Sequence, residues 1–229
     1  MQRRLDGGAV IRRVFDIYVD QAPVLMPAAA VVFVLAGLLR QLLVAAGPGT
    51  AVLGELISLI AGTLFTGMVV ELVADVQDGR RDATAAQLLR AVTPVLGQLI
   101  LVGVLVAIGV LVGLVALIVP GLIALTLWSV AAPVVVLERP GAIAALGRSR
   151  ELVRGNGWQV FGVIVVLDVM VLVAVFLLEA VAAAASSAAG LVVAVVLGVL
   201  SAPIPALAAA VLYFELRGAR AGASVSEQP

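Results

Sequence analysis

Hydrophobic residues fill six long stretches of this chain, and short polar segments separate them. A helix needs about 20 apolar residues to cross the hydrocarbon core of a bilayer, which is about 30 Å thick. The stretches are too continuous for the alternation expected of barrel strands. The pattern therefore predicts an all-α membrane protein with six transmembrane helices in three hairpins, at residues 23–46, 51–76, 94–119, 121–137, 158–184 and 188–214.

Three shorter segments, at 9–20, 83–92 and 141–154, have one apolar face and one charged face. Each is too short to cross a bilayer, so each is predicted to be an amphipathic helix that lies in the interface. Each also precedes a hairpin. The sequence therefore predicts a unit of amphipathic helix, span, turn and span that occurs three times.

Small and polar residues mark the ends of the last two spans. Gly155 is predicted to end the third amphipathic helix, Asn156 to begin the fifth span, and Trp158 to anchor that span among the lipid headgroups. Ser186 and Ser187 are predicted to form the turn of the last hairpin.

The composition supports this membrane assignment and excludes several kinds of site. The chain is 63% hydrophobic and 12% charged, whereas soluble domains are about 45–50% apolar and about 25% charged. It contains no His and no Cys, which removes disulfides and the commonest zinc ligands. No phosphate-binding glycine loop, HExxH, GxSxG or paired-carboxylate motif occurs. We therefore predict no metal, no cofactor, no catalytic residues and no nucleic-acid partner.

Arginine positions predict the orientation. All fourteen basic residues are arginine, and thirteen of them lie before the first span, after the sixth, or in the second and fourth connections. Only Arg40 is placed toward the other side. Because positive charge stays on the cytoplasmic side, both termini are predicted to be cytoplasmic, in the plasma (inner) membrane. Residues 1–217 are predicted to form one six-span domain and residues 218–229 a disordered cytoplasmic tail.

The stretch around the third amphipathic helix resembles a bacterial membrane domain. That domain occurs alone in many integral membrane proteins and is fused to some glycerophosphoryl diester phosphodiesterases. In the fused proteins the phosphodiesterase chemistry belongs to a separate soluble barrel, so the resemblance implies a membrane domain without that activity. The similar positions are Pro133, Glu138, Gly141, Ala145, Leu146, Arg148, Ser149, Leu152, Val153, Gly155, Asn156, Trp158, Phe161 and Gly162, with 118–121 before them and 212–217 after them.

One candidate site lies inside the predicted membrane region. Asp168 is near the middle of the fifth span, where an ionised carboxylate costs about 2.5–3.5 kcal/mol, so it is expected to face the bundle. Pro203 and Pro205 lie at matching depth in the sixth span and free backbone carbonyls there. The group is either a proton or solute site at a broken helix or a polar contact between helices; the latter is favoured because no second charge accompanies Asp168. Its members are Asp168, Ser201, Pro203, Pro205, Thr126 and Ser129.

A second candidate site is a charged rim at the predicted cytoplasmic ends of the spans. It is either an ion-pair network that docks the amphipathic helices or a site for anionic lipid headgroups. Its members are Glu71, Asp75, Glu138, Arg139, Arg148, Arg150, Arg154, Glu215 and Arg217. On the other side, Arg40 and Glu55 are predicted to form an ion pair across the first hairpin.

These features favour a non-catalytic membrane module that interacts with membrane lipids, anionic ones in particular, or with a membrane-protein partner. The alternative is a small proton-coupled transporter that uses Asp168 and the break at Pro203 and Pro205. The glycines of Gly109-x-x-x-Gly113 are predicted to pack helices within the chain rather than between chains. The sequence leaves the oligomeric state open.

Overall fold

The structure is a computed structural model that describes residues 5–80, 83–184 and 196–225. Its regular elements are helices, and no strand occurs in these ranges. The helices are α1 (Gly7–Asp20), α2 (Ala22–Ala45), α3 (Pro48–Gln77), α4 (Ala85–Val92), α5 (Leu96–Ala116), α6 (Ile118–Leu127), α7 (Ala131–Leu137), α8 (Ala142–Val153), α9 (Gly157–Ala184) and α10 (Pro203–Val225), with a 3-10 turn at Thr93–Val95 and a helical stretch at 196–201.

Six helical segments in the described part of the chain are long and apolar enough to cross a membrane. This confirms the all-α fold with six spans, and α1, α4 and α8 are the short helices that precede the three hairpins. The predicted turn at Ser186 and Ser187 and the predicted start of the sixth span lie outside the described residues. The segments are Ala22–Ala45, Gly49–Gln77, Ala85–Ala116, Ile118–Leu137, Gly157–Leu177 and Val196–Ala221.

The break between the third and fourth spans lies at Leu117 rather than at Pro120 and Gly121. Two further boundaries differ from the prediction. First, α4 is joined to α5 through the turn that contains Pro94, so that Ala85–Ala116 forms one long segment. Proline is tolerated there because the first turn of a helix needs no N–H from that position. Second, α10 continues to Val225, so the predicted disorder is wrong for residues 218–225. Arg220 in that stretch donates to backbone carbonyls of α8, which gives the extra turns a docking partner.

The fourth span is broken in its middle. Helix α6 ends at Leu127, three turn residues follow, and α7 starts at Ala131. The Ala131 N–H donates to the Trp128 carbonyl (3.0 Å) instead of continuing the α-helical pattern to Leu127. Pro133 lies just beyond, and it cannot donate to the carbonyl four residues earlier. The break leaves the carbonyl of Leu127 available to another partner.

The buried core lies at one end of the bundle. In α3, Gly67 closely approaches Leu99, and the earlier Thr63 lies beside Gly103, so α3 runs antiparallel to α5. The side chains buried in α5 are near its start, and those in α3 are mostly in its second half. We call this the arginine-rich end, because α1, α4, α8 and the final residues of α3 and α10 all lie there. At the opposite end, exposed apolar side chains leave a broad surface for lipid: Leu38, Leu42, Val52, Leu111, Val115 and Leu117 among them.

Helix α1 packs against α9 and α10 at the arginine-rich end. Asp6 caps its first turn by accepting from the N–H groups of Gly8 (2.9 Å) and Ala9 (3.2 Å). At its other end the Tyr18 hydroxyl donates to the Leu200 carbonyl (2.9 Å). Burial raises the pKa of Tyr18 above its ordinary value, so the hydroxyl keeps its proton for this bond. The bond ties the first helix to the last span.

Close glycine contacts join α5 to α6. A Cβ atom on Gly113 would lie 2.8 Å from the backbone of Gly121, and one on Gly109 would overlap the ring of Trp128. Both glycines of the predicted motif therefore pack against the next helix of the same chain, which confirms the intramolecular assignment. The approach also places Trp128 at the break of the fourth span.

Candidate functional site

Helix α8 packs against the break in the fourth span. The Ser149 hydroxyl is fully buried and donates to the free carbonyl of Leu127 (2.8 Å). The same face of α8 buries Ala145, Leu152 and Val153. This face packs against α5, α6, α7 and α10. Helix α8 is therefore an integral part of the bundle rather than a helix that only rests on the membrane surface.

Replacing Ser149 with alanine is expected to lower the free energy of unfolding by about 1–3 kcal/mol, since the partly buried contact with the Leu127 carbonyl would be lost. A titration with sodium dodecyl sulfate in mixed micelles, followed by circular dichroism, measures this change. Ser58 is the matched control, because its hydroxyl bonds a carbonyl of its own helix (Gly54, 3.1 Å). Ser58→Ala is expected to stay within about 0.5 kcal/mol of the parent chain. Equal effects of the two substitutions would contradict the role of Ser149.

Glu138 is the centre of a polar network at the end of α7. Its carboxylate accepts from the Tyr213 hydroxyl (2.9 Å) and from the Arg148 side chain (3.1 Å). Arg148 also bonds Glu151 (3.3 Å), and Arg217 lies beside the Tyr213 hydroxyl. Burial opposes the charge on Arg148, but the two carboxylates outweigh it and raise the pKa of Arg148 above its ordinary value. Arg148 is therefore held by internal partners.

Arg139 follows this network in a strained conformation. Its φ of 53° lies in the left-handed region, which side chains other than glycine rarely adopt. The side chain donates to the Val136 carbonyl (3.4 Å), and its positive charge acts on Glu71 in α3. Arg139 thus connects α7 to α3, as expected for a docking contact.

The C-terminus of α8 is capped from the last helix. A guanidinium nitrogen of Arg220 donates to the carbonyls of Glu151 and Arg154 (3.3 Å for the latter). A cation at this position also complements the negative end of the helix dipole. No local pattern predicts this contact, because Arg220 lies in the stretch predicted to be disordered.

The remaining rim residues divide into paired and unpaired groups. Glu215 pairs with Arg13 (3.9 Å), and Asp75 pairs with Arg80 (3.1 Å). The side chains of Arg150 and Arg154 are exposed, and neither forms a hydrogen bond or ion pair with another residue in the described ranges. Arg150 is in the last turn of α8 and Arg154 directly follows the helix, and the Arg154 N–H donates to the Arg150 carbonyl (3.1 Å), so the two lie one turn apart on the same outward side. The rim is therefore partly a docking network and partly a free cationic face.

An apolar groove lies beside the exposed side chains of Arg150 and Arg154. It has a volume of about 710 Å³ and separates α6 from the first turn of α9. Trp158 stands at its edge with 84% of its surface exposed, and its ring meets that of Phe161 edge-on (5.9 Å between centroids). The lining residues are Val119, Leu122, Ile123, Thr126, Leu127, Gly155, Gly157, Trp158, Gln159 and Phe161.

The start of α9 differs in one detail from the prediction. The backbone of Asn156 begins the helix, since its carbonyl accepts from the Val160 N–H (3.0 Å). Its side-chain oxygen accepts from the Leu5 N–H (3.4 Å). Asn156 therefore connects the N-terminal segment to the α8–α9 junction.

The predicted intramembrane site is not assembled. Asp168 is exposed, and its carboxylate forms no hydrogen bond or ion pair with another described residue. The face of α9 that packs against the core is formed by Val160, Val163 and Leu167 instead. The expectation that Asp168 faces the bundle is therefore wrong.

The other members of that site bond locally. Thr126 donates to the Leu122 carbonyl (2.7 Å), and Ser129 to the Thr126 carbonyl (2.9 Å). Ser201 donates to the Leu197 carbonyl (2.7 Å), just before the break at Pro203 and Pro205. Thr126 and Ser129 thus belong to the fourth span and Ser201 to the sixth, and no hydrogen bond joins the two sets within the described ranges. No group of three or more acidic side chains in those ranges could hold a metal ion either.

The predicted ion pair of the first hairpin is present. Arg40 approaches Glu55 through two nitrogens, at 2.7 and 3.0 Å from the same carboxylate oxygen. Both side chains are substantially exposed, so the pair contributes little to stability in water.

Comparisons with known proteins support the membrane assignment. No family model matches the chain, and no solved structure matches it. A UPF0259 membrane protein of Pectobacterium carotovorum subsp. carotovorum (strain PC1) is 30% identical over 103 residues, which are 45% of this chain and 41% of that protein. With six apolar helices in the fold, this similarity decides the class. The chain is a bacterial multi-pass membrane protein. It spans less than half of the length of that relative, and its likeness to the phosphodiesterase-associated membrane domain stays a prediction.

Proposed function

We propose that this membrane protein is a non-catalytic module that binds anionic phospholipid at its arginine-rich end. The observation that carries the proposal is the exposed pair Arg150 and Arg154 at the C-terminal end of α8, whose side chains have no acidic partner among the described residues. Arg148, in contrast, is already neutralised by Glu138 and Glu151. Two free guanidinium groups on one helix face match an anionic headgroup.

The position of α8 supports this role. Ser149 and Arg220 hold the helix at its middle and at its end. Its cations are therefore presented without further ordering of the backbone, which reduces the entropic cost of binding. Trp158 follows directly, and exposed tryptophan is typical of the headgroup level of a bilayer.

The arginine distribution supports placing this end on the cytoplasmic side of the inner membrane. Thirteen of fourteen arginines are on that side of the predicted topology. The anionic lipids of a cytoplasmic leaflet attract such residues. The resemblance to a membrane domain that carries no phosphodiesterase chemistry itself supports a non-catalytic role.

The transporter alternative lacks a supporting observation. It requires Asp168 to meet the broken sixth span, but Asp168 is exposed and Ser201 bonds within its own helix. We therefore do not assign proton coupling to this residue.

Replacing both Arg150 and Arg154 with alanine is expected to weaken retention of phosphatidylglycerol by about 25-fold, since each arginine near the headgroups contributes about fivefold. Native mass spectrometry in mixed detergent and lipid measures the retained lipid, with phosphatidylcholine as the neutral reference. Arg12→Ala with Arg90→Ala removes two exposed arginines from α1 and α4 and is the matched control. An equal loss in the control, or no preference for phosphatidylglycerol in the parent chain, would overturn the proposal.

A further inference from the structure

We propose that the groove between α6 and α9 receives an acyl chain of the anionic phospholipid whose headgroup lies on Arg150 and Arg154. This inference rests on the function proposed above and adds to it the position of the lipid. It distinguishes a lipid from a free phosphate, because only a lipid has an apolar part that could occupy the groove.

The wall of the groove has the form that a hydrocarbon chain requires. Val119, Leu122, Ile123 and Thr126 recur at intervals of three and four residues, so they form one stripe along α6. The stripe covers about 10 Å along the helix axis, at 1.5 Å for each residue. The Thr126 hydroxyl is already bonded to the Leu122 carbonyl, so this stripe presents no unsatisfied polar group. The surface is elongated and apolar, and its volume is within the range of about 300–1,000 Å³ that is usual for ligand sites.

The charged face of α8 meets one end of this groove. Gly155 lines the groove, and Arg154 precedes it, with consecutive Cα atoms about 3.8 Å apart. Arg150 lies one helical turn before Arg154 on the same exposed face. Trp158 and Gln159 line the groove at this end. Cations, an aromatic anchor and an apolar channel thus follow one another in the order of a phospholipid: headgroup, interface and chain.

The groove is expected to place the lipid rather than to supply most of its affinity. An acyl chain is shielded from water both in the groove and in the bilayer. Moving it from one to the other therefore changes the hydrophobic free energy little. The arginines supply the preference for negative charge. Changes at the arginines and in the groove should therefore affect different measurements.

Quenching by brominated lipids in vesicles tests this placement. The difference in fluorescence between the parent chain and Trp158→Phe is the emission of Trp158. The quenching of this emission by brominated phosphatidylglycerol is compared with its quenching by brominated phosphatidylcholine. We expect excess quenching by the anionic lipid. Val119→Phe with Ile123→Phe fills the groove from two exposed positions and should abolish this excess, whereas native mass spectrometry should still find phosphatidylglycerol retained.

The matched control is Leu111→Phe with Val115→Phe, which adds the same bulk at exposed positions of α5 outside the groove. This control should keep the excess quenching. Excess quenching that persists in the filled groove, or that is absent from the parent chain while phosphatidylglycerol is retained, would overturn the groove and leave the headgroup site standing. Loss of lipid retention only in the Arg150 and Arg154 variant, with no excess quenching anywhere, would likewise restrict binding to the headgroup.

Discussion

Replacing Gly113 with alanine is expected to lower the free energy of unfolding by about 1–3 kcal/mol, because the new methyl group has no room. Its Cβ would lie 2.8 Å from the Cα and the N of Gly121. These are backbone atoms, which cannot move aside as a flexible side chain would. Helices α5 and α6 would have to separate, and Trp128 would lose its contact with Gly109. Unfolding by sodium dodecyl sulfate in mixed micelles measures the change.

Gly97 supplies the control on the same helix. A Cβ at Gly97 meets no atom within 4 Å, so Gly97→Ala removes only backbone freedom. It is expected to stabilise α5 by up to about 1 kcal/mol. If Gly113→Ala is as well tolerated as Gly97→Ala, the close approach of the two helices is incorrect.

The six spans could be predicted because the bilayer constrains them directly. A spanning segment must satisfy its backbone internally and present about 20 apolar residues, and both requirements are local in sequence. The pairing of Gly109 and Gly113 with the next helix was predictable for a related reason. The break at Leu117, shortly before Pro120 and Gly121, brings the following helix back beside them.

The break at Trp128 and the hydrogen bond from Ser149 to the Leu127 carbonyl could not be predicted in this way. An apolar stretch such as 121–137 reads the same whether it is one helix or two, since its period does not change. Ser149 lies on a helix with charged neighbours, where a serine usually contacts water. Its role depends on a carbonyl 22 residues earlier, and no local pattern records such a contact.

The charged rim was predicted as a group, but its internal pairing was not. Charge positions indicate which residues share one side of the membrane, yet they do not decide which arginine meets which carboxylate. Asp168 shows the same limit inside the membrane. Its depth along the span was predictable, whereas the face it occupies depends on how α9 is rotated against the core.

Replacing Glu138 with alanine is expected to change stability and lipid retention in opposite directions. The buried Tyr213 hydroxyl would lose its acceptor, which lowers the free energy of unfolding by about 1–3 kcal/mol. Tyr213→Phe removes the hydroxyl that is left without an acceptor. The double variant should therefore cost less than the sum of the single variants, with a coupling energy of about 0.5–3 kcal/mol.

The same substitution removes one carboxylate from Arg148. Arg148 would keep Glu151, but this end of the protein would gain one net positive charge, and retention of phosphatidylglycerol should rise by up to about fivefold. Native mass spectrometry measures this rise, and Tyr213→Phe alone should leave retention unchanged. A rim that only docks helices would lose lipid and stability together when Glu138 is removed. A gain of anionic lipid in a less stable chain would separate the docking role of Glu138 from the lipid-binding role of the arginines, because no single structural defect produces both changes.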